Sequence, residues 1–151
     1  MPKVYHGFGG RLFHEMPSWV QADAIYHIRV RCEVGSPRLT QPEIADRLLE
    51  SVKLYQVKER WWVHLFLLMP DHWHALLSFG VGREMSKTIG DWKRWHTRHD
   101  GIVWQGNYFD HRVRNHLAEW DAKSDYIRNN PVVAGLCERA EDWPWQWSAH
   151  E

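Results

Sequence analysis

The stretch Leu67-Leu68-Met69-Pro70-Asp71-His72-Trp73-His74-Ala75-Leu76-Leu77-Ser78-Phe79 constrains this chain more than any other. It is an apolar run broken once by proline, and it carries two histidines two residues apart. Side chains along a strand alternate between faces. A strand over 72–79 therefore puts His72, His74, Leu76 and Ser78 on one face and Trp73, Ala75, Leu77 and Phe79 on the other. On a helix the same spacing would splay the two imidazoles by about 200°. Side by side on an open sheet face they form a ready pair of metal ligands. Among eleven histidines, about one such triplet arises by chance, so the pair needs company before it defines a site.

The flanking sequence supplies a sheet and helices to cover it. Ala24 to Cys32 alternates as a strand, with Ile28 and Val30 on one face and Arg29 and Arg31 on the other. Thr40-Gln41-Pro42-Glu43 has the form of a capping box. It opens a first helix with the stripe Ile44, Leu48, Val52 and Tyr55, flanked by Ala45 and Leu49. The run 61–69 is apolar on both faces, as a central strand requires. Pro70 breaks it, and the histidine strand returns beside it. After Gly80-Val81-Gly82 a second helix has the stripe Met85, Ile89, Trp92 and Trp95, with Lys87, Lys93, Arg94, Arg98 and His99 on its other face. Residues 103–114 read as a loop entering a strand, and Asn115 as the cap of a third helix with core positions Leu117, Trp120 and Ile127. Pro131 and Gly135 end that helix, which places Asn130 at its last residue, because a residue before proline disfavours helical geometry. Residues 1–20 read as an irregular arm outside the core, and 140–151 as an irregular tryptophan-rich tail. The order strand, helix, strand, strand, helix, strand, helix predicts an α+β, ferredoxin-like (RRM-like) sandwich. Two helices cover one face of the antiparallel sheet, a third is extra, and the histidine face stays available.

At 151 residues and 44% hydrophobic content the chain is the size of one domain, taken here as 1–151. Its net charge of zero gives no global support to a nucleic-acid partner, so any basic footprint is local. Cys32 and Cys137 match no zinc or redox spacing and read as reduced cysteines of a cytoplasmic protein. No run reaches membrane-spanning length, and no apolar leader is present. Eleven tryptophans exceed what a core needs, and stacking on bases is one use for the surplus.

A second clue lies in Tyr126-Ile127-Arg128-Asn129-Asn130-Pro131. Tyr126 and Asn130 are four apart and share a helix face, roughly 6 Å along the axis from each other. A tyrosine beside a ligand-capable amide is a nucleophile placed next to a metal.

Here the chain resembles a known family. Met69-Pro70-Asp71-His72-Trp73-His74 is similar to the His-hydrophobic-His signature of the HUH tyrosine transposases, written in that family as Met-Pro-Asn-His-x-His. Residues 126–136 resemble its catalytic-tyrosine helix and the turn after it; Val103-Trp104-Gln105 and Tyr108-Phe109-Asp110-His111 resemble its intervening segment. The likeness runs from about Ile25 to Trp147, and Ile25-Tyr26-His27 with the tryptophan-rich tail resembles the branch associated with repetitive extragenic palindromes (REP). The resemblance implies His72, His74 and Asn130 as ligands of Mg²⁺ or Mn²⁺ and Tyr126 as the nucleophile. It implies cleavage of single-stranded or hairpin DNA through a 5′-phosphotyrosine, by a monomer or homodimer. Asp71 stands where the family has Asn, and it is open to binding the metal, holding a histidine Nδ1–H, or repelling phosphate. Trp73 is bulky for its position, and the tail reads Gln146-Trp147-Ser148-Ala149 where this branch has Trp-Ser-Ser.

Arg29, Arg31, Lys93 and Arg94 are candidates to grip phosphates, and Trp104 and Tyr108 to stack bases. Each has an ordinary alternative as a solvated charge or packed aromatic. His27, His64 and His111 read as strand histidines satisfied locally. Three functions follow: a metal-dependent single-stranded DNA endonuclease and strand transferase, a hairpin-DNA-binding protein that does not cleave, and a structural metal protein in which His72 and His74 hold a loop.

Overall fold

A computed structural model describes residues 16–21, 23–114 and 117–151. The elements are β1 (Ile25–Arg31), α1 (Pro42–Val57), β2 (Trp61–Leu68), β3 (His72–Phe79), α2 (Met85–Asp100), β4 (Phe109–Val113), α3 (Leu117–Val133) and β5 (Gln146–Trp147), with a short 3₁₀ turn at Ala140–Asp142. The strands form one antiparallel sheet in the order β4-β1-β3-β2-β5. Its first four strands have the ferredoxin-like order that the chain's alternation predicts. No helix among the described residues is long and apolar enough to cross a membrane.

Each face of the sheet carries its own core. On one, Ile28, Val30, Val63, Phe66, Trp73 and Leu77 pack with Leu48 and Val52 of α1 and Ile89 and Trp92 of α2. On the other, Ile25, Leu65, Leu67 and Leu76 pack with Trp120 and Ile127 of α3. The histidine face is thus covered by α3 rather than open, and His74 is only 1% exposed. A bulge in β2 serves both cores. Val63 pairs with Leu77 and Leu65 with Leu76, so that His64 is the extra residue between them. The strand thereby changes phase, so Trp61 and Val63 before it share a face with Phe66 and Leu68 after it.

Several local expectations are corrected. Gln41, not Thr40, caps α1, with Pro42 in the first turn and no side-chain cap bond. Glu43 is then one position too early to complete a capping box. In α2 the buried stripe is Thr88, Ile89, Trp92 and His96, while Trp95 is 47% exposed and stacks on His99. His96 is admitted to the interior because both its nitrogens are met: Nδ1 donates to Asp100 Oδ2 (2.6 Å) and Nε2 bonds the Ser51 hydroxyl of α1 (2.7 Å). Helix α3 continues through Pro131 to Val133, so Asn130 is not its last residue. Proline there removes a single donor near the helix end, and Ala134 N–H still closes on the Asn130 carbonyl (3.0 Å). Gly135, at φ 77°, follows the helix as expected. The proposed Asn115 cap and the arm up to residue 15 lie outside the described residues. At the arm's end, Met16 and Val20 are buried in the second core rather than outside it. The tail is not irregular throughout: Gln146 and Trp147 pair with Leu67 and Phe66 as β5.

Candidate active site

The turn between β2 and β3 is closed by Met69 N–H donating to His72 O (2.8 Å). It is pinned from outside by Leu39 N–H on Pro70 O (2.9 Å) and Cys32 N–H on Asp71 O (2.8 Å). Asp71 is thereby fixed next to the start of β3, and its Oδ1 accepts His72 Nδ1–H at 2.8 Å. Of the three roles open to Asp71, the structure realises the hold on a histidine N–H. That bond keeps the Asp71 carboxyl below its ordinary range.

His74 lies one pleat further along, its ring 5.0 Å from that of His72. Its Nδ1 is 3.1 Å from His27 Nε2, with the two rings stacked. His27 belongs to β1, paired with Leu76 and so diagonal to His74 on the same face. Burial, reinforced by neighbouring positive charges, lowers His74 to about 3 and His27 to about 4. Burial also lowers His72, against the pull of Asp71. All three imidazoles are therefore neutral at ordinary pH, the form that offers a lone pair to a metal.

Helix α3 brings the tyrosine. Burial of Trp120, Ile127 and Pro131 sets which side of the helix faces the sheet. Tyr126, next to Ile127, falls on the flank, 55% exposed. Its ring centroid is 5.7 Å from His74 and 6.2 Å from His27. Asn130 shares that flank and with Tyr126 lines a hollow of about 350 Å³. Its Nδ2 donates to the Tyr126 carbonyl (3.1 Å), and no described group bonds its amide oxygen, the atom a hard cation takes. The structure thus brings His72, His74 and Tyr126 together and sets Asn130 one turn along the same helix. Among the described residues no group of three His, Cys, Asp or Glu forms a metal-binding set. The ligand-capable set here is two imidazoles and an amide.

The six candidate DNA-binding residues lie along one continuous surface. Arg29 and Arg31, register partners of His74 and His72, line a shallow hollow of about 270 Å³ with Gln105, Tyr108 and Phe109. Gln105 and Tyr108 also line the adjoining groove of about 790 Å³, with Lys93, Arg94, Arg98 and Trp104. Within it several groups are already committed. Lys93 Nζ donates to Gln105 O (3.0 Å), Trp104 Nε1 donates to Lys93 O (3.0 Å), and Arg94 pairs with Asp91. Arg29 sits 5.2 Å over the Phe109 ring. Sequence reasoning did not single out Phe109 or Arg98 for this surface, nor His27 for the histidine site. The signal for His27 was its alternation with Arg29 and Arg31, usable only once the β1–β3 register is known.

A ferredoxin-like sheet with a histidine pair on its α3 face and a tyrosine on the covering helix defines an α+β class shared with solved proteins. The structure of a REP-associated tyrosine transposase bound to a REP hairpin superposes with a TM-score of 0.71 at 21% identity, over 82% of this chain and 76% of that one. The chain has that protein's fold. A crystal structure of a Deinococcus radiodurans protein gives a TM-score of 0.43 at 18% identity, over 70% of this chain and 88% of that one, which alone establishes no relationship. No protein-family model matches the chain, and no curated protein matches it.

Proposed function

We propose that this protein is a metal-dependent single-stranded DNA endonuclease and strand transferase, acting on hairpin-forming DNA with Tyr126 as nucleophile. The observation that carries the reading is the exposed Tyr126 ring set 5.7 Å from a histidine whose Nδ1 is occupied, beside a second histidine bonded in the same way. Occupied Nδ1 atoms leave Nε2 of His72 and His74 as the coordinating atoms, with Asn130 Oδ1 as a third. This donor set of neutral nitrogens and an amide oxygen fits Mg²⁺ or Mn²⁺ with room for phosphate oxygens. Bound there, such a cation would polarise the scissile phosphodiester and favour ionisation of the nearby phenol.

Tyr126 Oη then attacks phosphorus, forming a 5′-phosphotyrosine as the bond to the leaving 3′-oxygen breaks. The ester is conserved, so an incoming 3′-hydroxyl reverses the step and joins a new strand. In this reading Arg29 and Arg31 hold phosphates of the strand, a role supported by their place in the hollow beside Phe109, and the adjoining groove from Tyr108 to Arg98 offers a basic, aromatic path. The likeness to a transposase bound to a REP hairpin supports hairpin DNA as the partner.

The test is incubation of the protein and of Tyr126→Phe with labelled single-stranded hairpin DNA and Mn²⁺. A denaturation-resistant adduct with the wild type that is lost in Tyr126→Phe, with hairpin binding retained, is the expected result. Hairpin binding without an adduct in the wild type would make the protein a binding module instead.

A further inference from the structure

His72 and His74 are held at Nδ1 by unlike partners, and the difference fixes where their protons sit. A carboxylate only accepts, so the bond to Asp71 makes His72 the Nδ1–H tautomer with its lone pair on Nε2. Two neutral imidazoles meet in the other pair, and one of them must donate. If His27 Nε2–H donated, the proton of neutral His74 would sit on Nε2 and block it as a ligand. If His74 Nδ1–H donates, Nε2 is free, and His27 carries its own proton on Nδ1. That nitrogen is buried and meets no partner among the described residues, a departure from the rule that buried polar groups are paired.

We propose that His27 is the positioning residue of the site: it accepts the Nδ1–H of His74 and so holds that ring with Nε2 facing the metal position beside Tyr126. The proposal rests on His72 and His74 being ligands, as argued above. The geometry favours a fixed ring. His27 stacks on His74 at 5.3 Å and 25°, and it packs edge-on against Phe109 (5.4 Å) and Tyr126 (6.2 Å). Its backbone is held on both sides, paired with Leu76 of β3 and His111 of β4. The imidazole that sets the tautomer of His74 therefore also walls the nucleophile. An outer partner of this kind tunes a metal ligand without touching the metal.

The experiment uses the full chain. Imidazole nitrogen NMR of the metal-free protein reports the tautomers, and electron paramagnetic resonance reports Mn²⁺ affinity, for the wild type, His27→Phe and His27→Gln. The wild type is expected to show Nδ1–H on both His72 and His74. In His27→Phe, His74 should lose that preference while His72 keeps it, and Mn²⁺ should bind about ten- to a hundredfold more weakly. His27→Gln, which restores an acceptor, should recover most of the loss. An Nε2–H tautomer of His74 in the wild type overturns the proposal, as does unchanged Mn²⁺ affinity in His27→Phe. Should His27→Phe fail to fold, the wild-type tautomer and His27→Gln still decide. A wild type that binds no Mn²⁺ refutes the metal reading instead, while the nitrogen shifts judge the role of His27 separately.

Discussion

At the scale of single residues, Asp71 does with a carboxylate what an asparagine amide oxygen would also do. Its carboxylate accepts His72 Nδ1–H at 2.8 Å, and the oxygen of an asparagine amide in the same place would accept it as well. Asp71→Asn is therefore expected to keep adduct yield within a few-fold, whereas Asp71→Ala should weaken Mn²⁺ binding by about ten- to a hundredfold. Titrating Mn²⁺ into both variants checks this. The pairing of His72 and His74 on one face was legible from alternation alone, as was the spacing of Tyr126 and Asn130. His27 was not, because strand parity gives its face but only the β1–β3 register gives its neighbour. Asp71 was legible as a set of alternatives, and the pinned turn selected one of them.

Among the elements, α1 and α2 are joined by a buried polar chain. Asp100 accepts from His96, His96 bonds Ser51, and the Ser51 hydroxyl accepts Trp92 Nε1–H (2.9 Å). Its connectivity is that of a nucleophile, a base and an acid. Yet the serine sits mid-helix and shares its one hydroxyl proton between His96 Nε2 and the Leu48 carbonyl (2.7 Å from its oxygen), so the chain acts as a helix staple. Ser51→Ala leaves His96 Nε2 and Trp92 Nε1 without that partner and is expected to cost roughly 2–3 kcal/mol. It should lower the denaturant midpoint without changing adduct chemistry on the opposite face of the sheet. This staple explains why the α2 stripe was misread: periodicity puts Trp95 and His96 on neighbouring positions, and hydrophobicity alone chooses the tryptophan. Similarly, Pro131 read as a stop signal, but so near the helix end it costs α3 one hydrogen bond and the helix carries on.

For the molecule as a whole, the histidines lowered by burial set the response to acid. His27 and His74 are lowered to about 4 and about 3, and His64, His72 and His96 are lowered as well, burial being the first cause in each. The unfolded chain takes up protons near pH 6.5 that the folded chain refuses, so it binds more protons below that pH. Stability is then flat above about pH 7 and falls as the pH drops from about 6.5 toward 4, by about 1.4 kcal/mol per pH unit for each of His27 and His74. Denaturant midpoints of metal-free protein across this range should show the decline, and His27→Phe should make it shallower. The bulge at His64 has a further consequence for this architecture. It is a phase shift written into β2, and both hydrophobic layers are keyed to it. Deleting His64 would remove the extra residue and leave simple alternation, with Trp61, Val63, Phe66 and Leu68 still on the layer they now share. Removing His64 alone should therefore leave unfolding cooperative, with a lower midpoint in thermal melting for the lost buried ring and its bond to Ser78. Over evolutionary time, single-residue losses in this strand should be found at the bulge, and changes of length elsewhere in it only in steps of two.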